Sequence, residues 1–366
     1  MERKQFSTRR FEISDVDGIV ELFTKVFQGN FSRKWWEWKY LQNPAGFRGK
    51  EGDVWVAETN GGKVVGHWGV IPERLKLGSK TVEVAQAVDA ATHPDYQGQG
   101  IFKALVKNVC SDAKGRYGLV FGYPNELYKG YEKLGWRSYH ITEFLNFVNY
   151  DRPLVNYFQN RIFFGLAKTA LKTMRAWNLL EANFHPNKIT GDQAEIEEVP
   201  GFSEEINDFW QLSRSKHEII LERDYSFLYW RFSEQLGAYR RFIARSPDGG
   251  KILGYLVTKK TSIRGIPGIL DIVDLHALPN EDRTIMNLAE SAITMARKEE
   301  LNVVHCRVPS WHRFAILLRK LEFVGVGKAF ELAKLYQPRV ITCPAAQEEV
   351  VDLNKWFYTL ADTDYA

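Results

Sequence analysis

Short patterns from the first half of this 366-residue chain return in the same order in the second half, and no other property of the sequence narrows its possible folds so far. Trp38-Lys39-Tyr40 is answered 192 residues later by Trp230-Arg231-Phe232. The stretch from Val54 to Glu58, a Gly61-Gly62 turn and Lys63 to Gly66 are answered by Phe242 to Arg245, a Gly249-Gly250 turn and Lys251 to Gly254. Both read as strand, tight turn, strand. Val88-Asp89 with Pro94 returns as Val273-Asp274 with Pro279, an offset of 185, and Lys133-Leu134-Gly135-Trp136 as Lys320-Leu321-Glu322-Phe323. Loop insertions between two copies of one fold leave offsets that drift by a few residues in this way.

Each copy reads as two helices, an antiparallel hairpin, a further strand, a long helix, a strand and a helix. The fold class expected is therefore α/β, of the mixed-sheet (α+β) kind, in two tandem domains. A chain of this length exceeds what one core usually organises. The divisions expected are a first domain over 1–148, a helical connector over 149–190, a second copy over 191–336 and an extension, a small helix and tail, over 337–366. The connector stretch Leu154–Ala182 carries Phe158, Phe163, Phe164, Leu166, Leu171, Trp177 and Leu180 among basic residues. It is expected to pack on both domains; the alternative is a membrane-surface helix that sets Arg161, Lys168, Lys172 and Arg175 against anionic lipid.

Hydrophobic residues at 45% and charged residues at 26% suit a soluble globular chain. A net charge of +4 without a long basic run points away from nucleic acid as a partner. Cys110, Cys306 and Cys343 give neither a disulfide framework nor a metal-ligand spacing, so no metal and a reducing, cytoplasmic location are expected. The opening MERKQFSTRRFEIS is charged rather than apolar and no run of 18 apolar residues occurs, so neither secretion nor membrane spanning is expected. Trp35, Trp36, Trp38, Trp55 and Trp68 crowd the first 70 residues, and core is the reading preferred over a pocket wall for a flat polar ligand.

The stretch that carries chemistry runs from Val88 to Leu105: a strand, a turn with Pro94, a glycine-rich turn and a helix. A helix N-terminus offers unpaired N–H groups and a partial positive charge, which suits a phosphate, and Gly98 and Gly100 let backbone approach an anion closely. Two other glycine motifs are excluded. A dinucleotide G-x-G-x-x-G from Gly98 fails at Lys103, and the Gly-Lys-Ser/Thr of a P-loop is absent.

Gln97-Gly98-Gln99-Gly100-Ile101-Phe102 resembles motif A of the GNAT N-acetyltransferases, Gln/Arg-x-x-Gly-x-Gly/Ala. Phe102 departs from the final small residue, so its side chain must turn away from a pyrophosphate. Downstream, a strand ending in Asn125 and the segment Tyr131-Glu132-Lys133-Leu134-Gly135-Trp136 resemble the family's next elements in family order. The resemblance covers both halves, strongly only in the first. It implies two tandem GNAT-like domains, the second degenerate, with acetyl-CoA as acyl donor and a primary amine of a small molecule, amino sugar or peptide as acceptor. It further implies that backbone at Ala90, Ala91 and Thr92 binds the pantetheine arm like an added strand. N–H groups of Gln97, Gly98, Gln99, Gly100, Ile101 and Phe102 would hold the pyrophosphate, Asn125 would lie beside the donor, and Tyr131 would protonate the departing sulfur.

Direct attack of an amine on a thioester also needs a base. In strand Thr81–Ala91 the odd positions are Thr81, Glu83, Ala85, Ala87, Asp89 and Ala91, a small and acidic face. Asp89, nearer the loop, is the first candidate and Glu83 the second; either is alternatively a structural carboxylate, a reading that the recurrence at Asp274 favours. His93 is a further candidate through water, or a solvated turn residue. Two rival functions remain: a Fem-type aminoacyltransferase of the same fold, against which the intact glycine loop speaks, and a non-catalytic acetyl-CoA-binding module.

Overall fold

A computed structural model describes residues 5–124, 127–148, scattered positions between 169 and 180, 188–233 except 192, 237–263, 266–326, 339–343, 352 and 354–364. Contacts divide the chain into two units, residues 1–139 with 339–352 and residues 140–338 with 353–366. The first begins with β1 (Ser7–Arg10), α1 (Val16–Phe27), α2 (Arg33–Tyr40), β2 (Val54–Glu58), β3 (Val64–Leu77) and β4 (Lys80–Thr92). It continues through α3 (Ile101–Ala113), β5 (Val120–Gly122), α4 (Tyr128–Glu132) and β6 (Arg137–His140). The second unit contains β7 (Glu143–Phe147), β8 (Glu195–Val199), α5 (Ile206–Ser213), β9 (Ile219–Leu221), α6 (Tyr225–Arg231), β10 (Tyr239–Arg245), β11 (Ile252–Ile263) and β12 (Ile266–Ala277). After α7 (Asp282–Lys298), β13 (Val303–Arg307), α8 (Arg313–Lys320) and β14 (Val324–Val326), the chain supplies β15 (Arg339–Thr342) to the first unit and β16 (Trp356–Phe357) to the second.

Both sheets are mixed and follow one plan. The first has the order β1-β2-β3-β4-β5-β15-β6 and the second β14-β7-β13-β12-β11-β10-β8. In each, a long antiparallel hairpin (β3–β4, β11–β12) is followed by a helix that crosses over to a parallel strand (β5, β13), since parallel neighbours need a long crossover. In the first unit α3 buries Ile101, Leu105, Val106, Val109 and Ala113, a helical stripe, against the sheet. Gly66 on β3 allows this close seating: a Cβ there would lie 2.5 Å from Ile101 Cγ2. Trp36, Trp38 and Trp68 are buried, while Trp35 and Trp55 are half-buried.

Three differences from the sequence reading have clear causes. β1 is Ser-Thr-Arg-Arg, too polar to register as a strand; it forms an edge, with Arg9 bonded to Asp15 and Glu58. β7 lies in the second sheet, so the first domain ends at 139 rather than 148. Beyond residue 337 the chain is not an appendage: β15 pairs with β5, and Trp356, Phe357, Thr359 and Asp362 are buried in the second unit. The connector helix over Leu154–Ala182 falls almost entirely outside the described residues. No helix among the described residues is long and apolar enough to cross a membrane.

The second sheet buries an ion cluster. His305 Nδ1 lies 2.7 Å from Asp271 and its Nε2 3.5 Å from Glu143, which also pairs with Arg307. Burial alone would lower this imidazole, but the charge of Glu143 and the hydrogen bond to Asp271 outweigh it and push it up to about 9. A pKa raised on folding stabilises fully below the unfolded value and is lost as pH rises through the folded one. Chemical unfolding should therefore show stability falling, by on the order of 3 kcal/mol, between about pH 6.5 and 9. His305→Gln should remove that slope; an unchanged slope would place the titration elsewhere.

Candidate active site

The site forms where two strands part. β4 pairs with β5 only from Ala85 to Ala87, opposite Val120 to Gly122, whereas on its other side it stays paired with β3 as far as Thr92. Beyond Ala87 the β5-facing edge of β4, at Ala90, Ala91 and Thr92, pairs with no strand among the described residues. Backbone donors and acceptors on such an edge are a template for an extended ligand.

The strand is bent at the start of this edge. Asp89 has φ 53°, left-handed and uncommon for a non-glycine residue, and the register skips so that Asp89 and Ala90 face Trp68 alone. Such a bulge with its strained residue costs about 1 to 3 kcal/mol and persists only where neighbours hold it. Here they do. Lys39 Nζ donates to Asp89 Oδ1 at 2.8 Å, the Tyr40 hydroxyl to Oδ2 at 2.7 Å, and His67 Nδ1 to the Asp89 carbonyl at 2.8 Å. The carbonyl can only accept, so His67 carries its proton on Nδ1. Burial, offset only in part by Asp89, lowers His67 to about 4 and keeps it neutral.

From the end of β4 the chain enters a turn over Pro94–Tyr96. His93 is buried and caps it, accepting from the Asp95 N–H at 3.2 Å, rather than lying solvated. Gln97 is extended, its N–H donating to Pro94 O at 3.3 Å. Gly98 (φ 75°) and Gly100 (φ 90°) are both left-handed, and a Cβ on either would meet nothing within 4 Å. Space thus lies open above the loop where it turns into α3. Gly100 is the N-cap and offers no side chain, so the N–H groups that open α3, from Ile101 and Phe102 onward, have no side-chain cap.

Beside this helix start, Phe102 lies edge-on to Tyr131 with ring centroids 5.0 Å apart. Tyr131, on α4, is buried against Trp136, and Trp68 Nε1 donates to its hydroxyl oxygen at 2.7 Å. That bond fixes the phenol oxygen relative to the strand opposite the bulge and favours negative charge on it. Sequence reasoning gives Trp68 a place in the core and misses its part in the site; the signal is a tryptophan on a central strand, whose buried indole N–H must find an acceptor.

Glu83 stands apart. It is exposed, holds Arg48 at 3.0 Å, and precedes Asp89 by six residues, roughly 20 Å along a strand. The bulge also breaks the odd-position face on which the two carboxylates were grouped. Asn125 lies outside the described residues. Among the described residues no group of three or more His, Cys, Asp or Glu side chains is placed to hold a metal.

Residues 7–139 match the sequence profile of the acetyltransferase (GNAT) domain. The matched stretch spans nearly all of the first unit's N-terminal segment, residues 1–139. Several solved structures share the fold over most of the chain. A probable N-acyltransferase from Enterococcus faecalis matches with TM-score 0.61 at 13% identity, over 95% of this chain and 74% of that one. A GCN5-related N-acetyltransferase from Anabaena variabilis matches with TM-score 0.60 at 13% identity, over 92% and 72%. The N-myristoyltransferase of Saccharomyces cerevisiae, solved with myristoyl-CoA, matches with TM-score 0.56 at 11% identity, over 96% and 83%. No curated protein matches the sequence.

The open space over Gly100 yields a direct test of the acetyl-CoA site expected from the sequence. Gly100→Glu, which sets bulk and a carboxylate at the helix start, should lower acetyl-CoA affinity by at least about 100-fold in calorimetry, a like-charge penalty of a few kcal/mol. Gly100→Ala, with backbone strain alone, should lose roughly tenfold. Unchanged affinity in a folded Gly100→Glu protein would remove the loop from the donor site.

Proposed function

We propose that the protein is an acyl-CoA-dependent N-acyltransferase that moves an acetyl group from acetyl-CoA to a primary amine, with the donor held in the first unit. The observation that carries this reading is one continuous surface: a left-handed glycine loop opening an uncapped helix beside a strand edge without a strand partner. The loop and helix start suit a pyrophosphate, and the edge at Ala90 to Thr92 suits an amide-bearing arm. The acetyltransferase profile over residues 7–139 supports acetyl as the group transferred.

In this reading the neutral acceptor nitrogen attacks the thioester carbonyl, the carbon–nitrogen bond forms as the carbon–sulfur bond breaks, the sulfur takes a proton from Tyr131, and the proton lost by the nitrogen passes to water, from which Tyr131 is reprotonated. The Trp68 hydrogen bond suits that role, since it steadies the phenol oxygen as its proton leaves. Asp89 is not our base, because both its carboxylate oxygens are engaged by α2. Amino sugars and amine-bearing peptides are the acceptor classes we favour. The test is a screen of such amines with acetyl-CoA and, as a second arm, myristoyl-CoA, read by release of free thiol. If no amine in the screen releases thiol, only the binding-module reading is left. With the best acceptor, Tyr131→Phe should lower kcat by about 100-fold or more at nearly unchanged donor affinity; a kcat within threefold of wild type would make Tyr131 a packing residue.

The second unit we read as a degenerate copy. Its counterpart of the loop, Leu278 to Asp282, has no glycine. Asn280, a residue type suited to capping the following helix, instead takes a left-handed backbone (φ 67°), and Glu281 is the N-cap, its carboxylate accepting from Thr284. The Arg283 N–H donates to Thr190 O at 2.9 Å, and Asp282 is paired with Arg313. A backbone donor at this helix start is thus used by the chain itself, next to two carboxylates. One acetyl-CoA per chain is therefore expected by titration calorimetry, and two equivalent tight sites would overturn this division.

A further inference from the structure

The feature of the first unit that the proposed chemistry leaves unused is the buried set around Asp89. Apart from its N–H, every polar atom of that residue is held, each by a buried side chain: Lys39 and Tyr40 from α2 on the two carboxylate oxygens, and His67 from the neighbouring strand on the carbonyl. Replacing buried ion pairs by apolar residues is often neutral for stability, so a Lys–Asp pair kept inside is explained better by the geometry it imposes. The geometry imposed here is a left-handed residue inside a strand, immediately before the edge at Ala90 to Thr92.

The chain contains its own control. Asp274 stands at the matching place on β12 and is more deeply buried, with Arg223 Nε at 3.0 Å and the hydroxyls of Tyr255 and Thr359 each at 2.8 Å. Its backbone, however, is not among the left-handed residues, and the register of that strand skips Val273 instead. An aspartate bonded by a basic side chain and a tyrosine hydroxyl thus belongs to both units. The left-handed turn accompanies it only in the unit that has the glycine loop.

Resting on the acyl-CoA reading above, we propose that Lys39, Tyr40 and His67 are positioning residues that act through Asp89, locking its left-handed turn so that the Ala90 to Thr92 edge faces the pantetheine arm of the donor. None of the three needs to touch the donor. α2, which carries two of them, thereby becomes part of donor recognition, although it contributes no residue to the glycine loop.

The experiment titrates the full chain with acetyl-CoA in four forms: wild type, Asp89→Asn, Asp89→Ala and Tyr40→Phe, each checked for folding by circular dichroism and thermal melting. Asparagine tolerates the left-handed region and can bond both partners from α2, so Asp89→Asn should keep donor affinity within threefold of wild type. Alanine does neither and should weaken it at least tenfold. Tyr40→Phe, which removes one hydroxyl and keeps the ring, should fall between them and remains informative if Asp89→Ala does not fold. A merely structural Asp89 would lower Tm in Asp89→Ala and Tyr40→Phe while leaving the affinity of the folded protein unchanged; that result overturns the proposal. So does an Asp89→Asn protein that binds as poorly as Asp89→Ala, because charge rather than conformation would then decide. Wild type that binds no acetyl-CoA overturns the donor reading itself, and is told apart from failure of the clamp by that first titration alone.

Discussion

Backbone amides and carbonyls inside a sheet must be paired, and the first sheet leaves a short row of them on the edge where β4 and β5 part. Much of the surrounding structure exists to make that edge. β5 is only three residues long, the bulge at Asp89 turns β4 just as its partner ends, and α3 starts at the far end of the same edge. In the proposed function, the donor's thioester arm with its two amides completes that row. The same proposal puts its phosphates at the start of α3, which has no side-chain cap.

The positions of these parts depend on unequal kinds of interaction. The seat of α3 is set by dispersion and shape, through Gly66 beneath Ile101 and Leu105. The bulge is set by directional polar bonds that no apolar packing could replace, because they act on one residue's carboxylate and carbonyl together. The acid candidate is set by both: Tyr131 is gripped by Phe102 and Trp136 rings, and oriented by one indole hydrogen bond.

What the sequence disclosed follows the range of the signal. The glycine turn, the crossover helix and the two Gly-Gly hairpins rest on local rules of backbone conformation and periodicity, and each was legible. Asp89 stands out in the sequence for its position, but the donors that engage both its carboxylate oxygens do not. Its partners lie 49 and 50 residues away on α2, and nothing local says that a carboxylate on an apolar strand will meet a lysine from a tryptophan-rich helix. A strict period of two also hid the bulge, which moves every residue after it to the other face and so undid the grouping of Glu83 with Asp89. β1 and β15 were missed for a related reason: short polar or terminal strands are made by the sheet they join, not by their own composition.

The placement of β7 and β15 has a consequence for how the protein is made. The first sheet needs a strand synthesised after nearly the whole second unit, with Thr342 set against Phe121, and the second sheet needs one synthesised before it. Closing loops of that length is entropically slow, and neither sheet has its full set of strands until both halves have been translated. On the ribosome the edge of β5 must wait, uncovered, through some two hundred residues of further synthesis. Cutting the chain at the apparent boundary would leave that vigil permanent, so the two halves, however separable their sequences look, are one unit of biosynthesis.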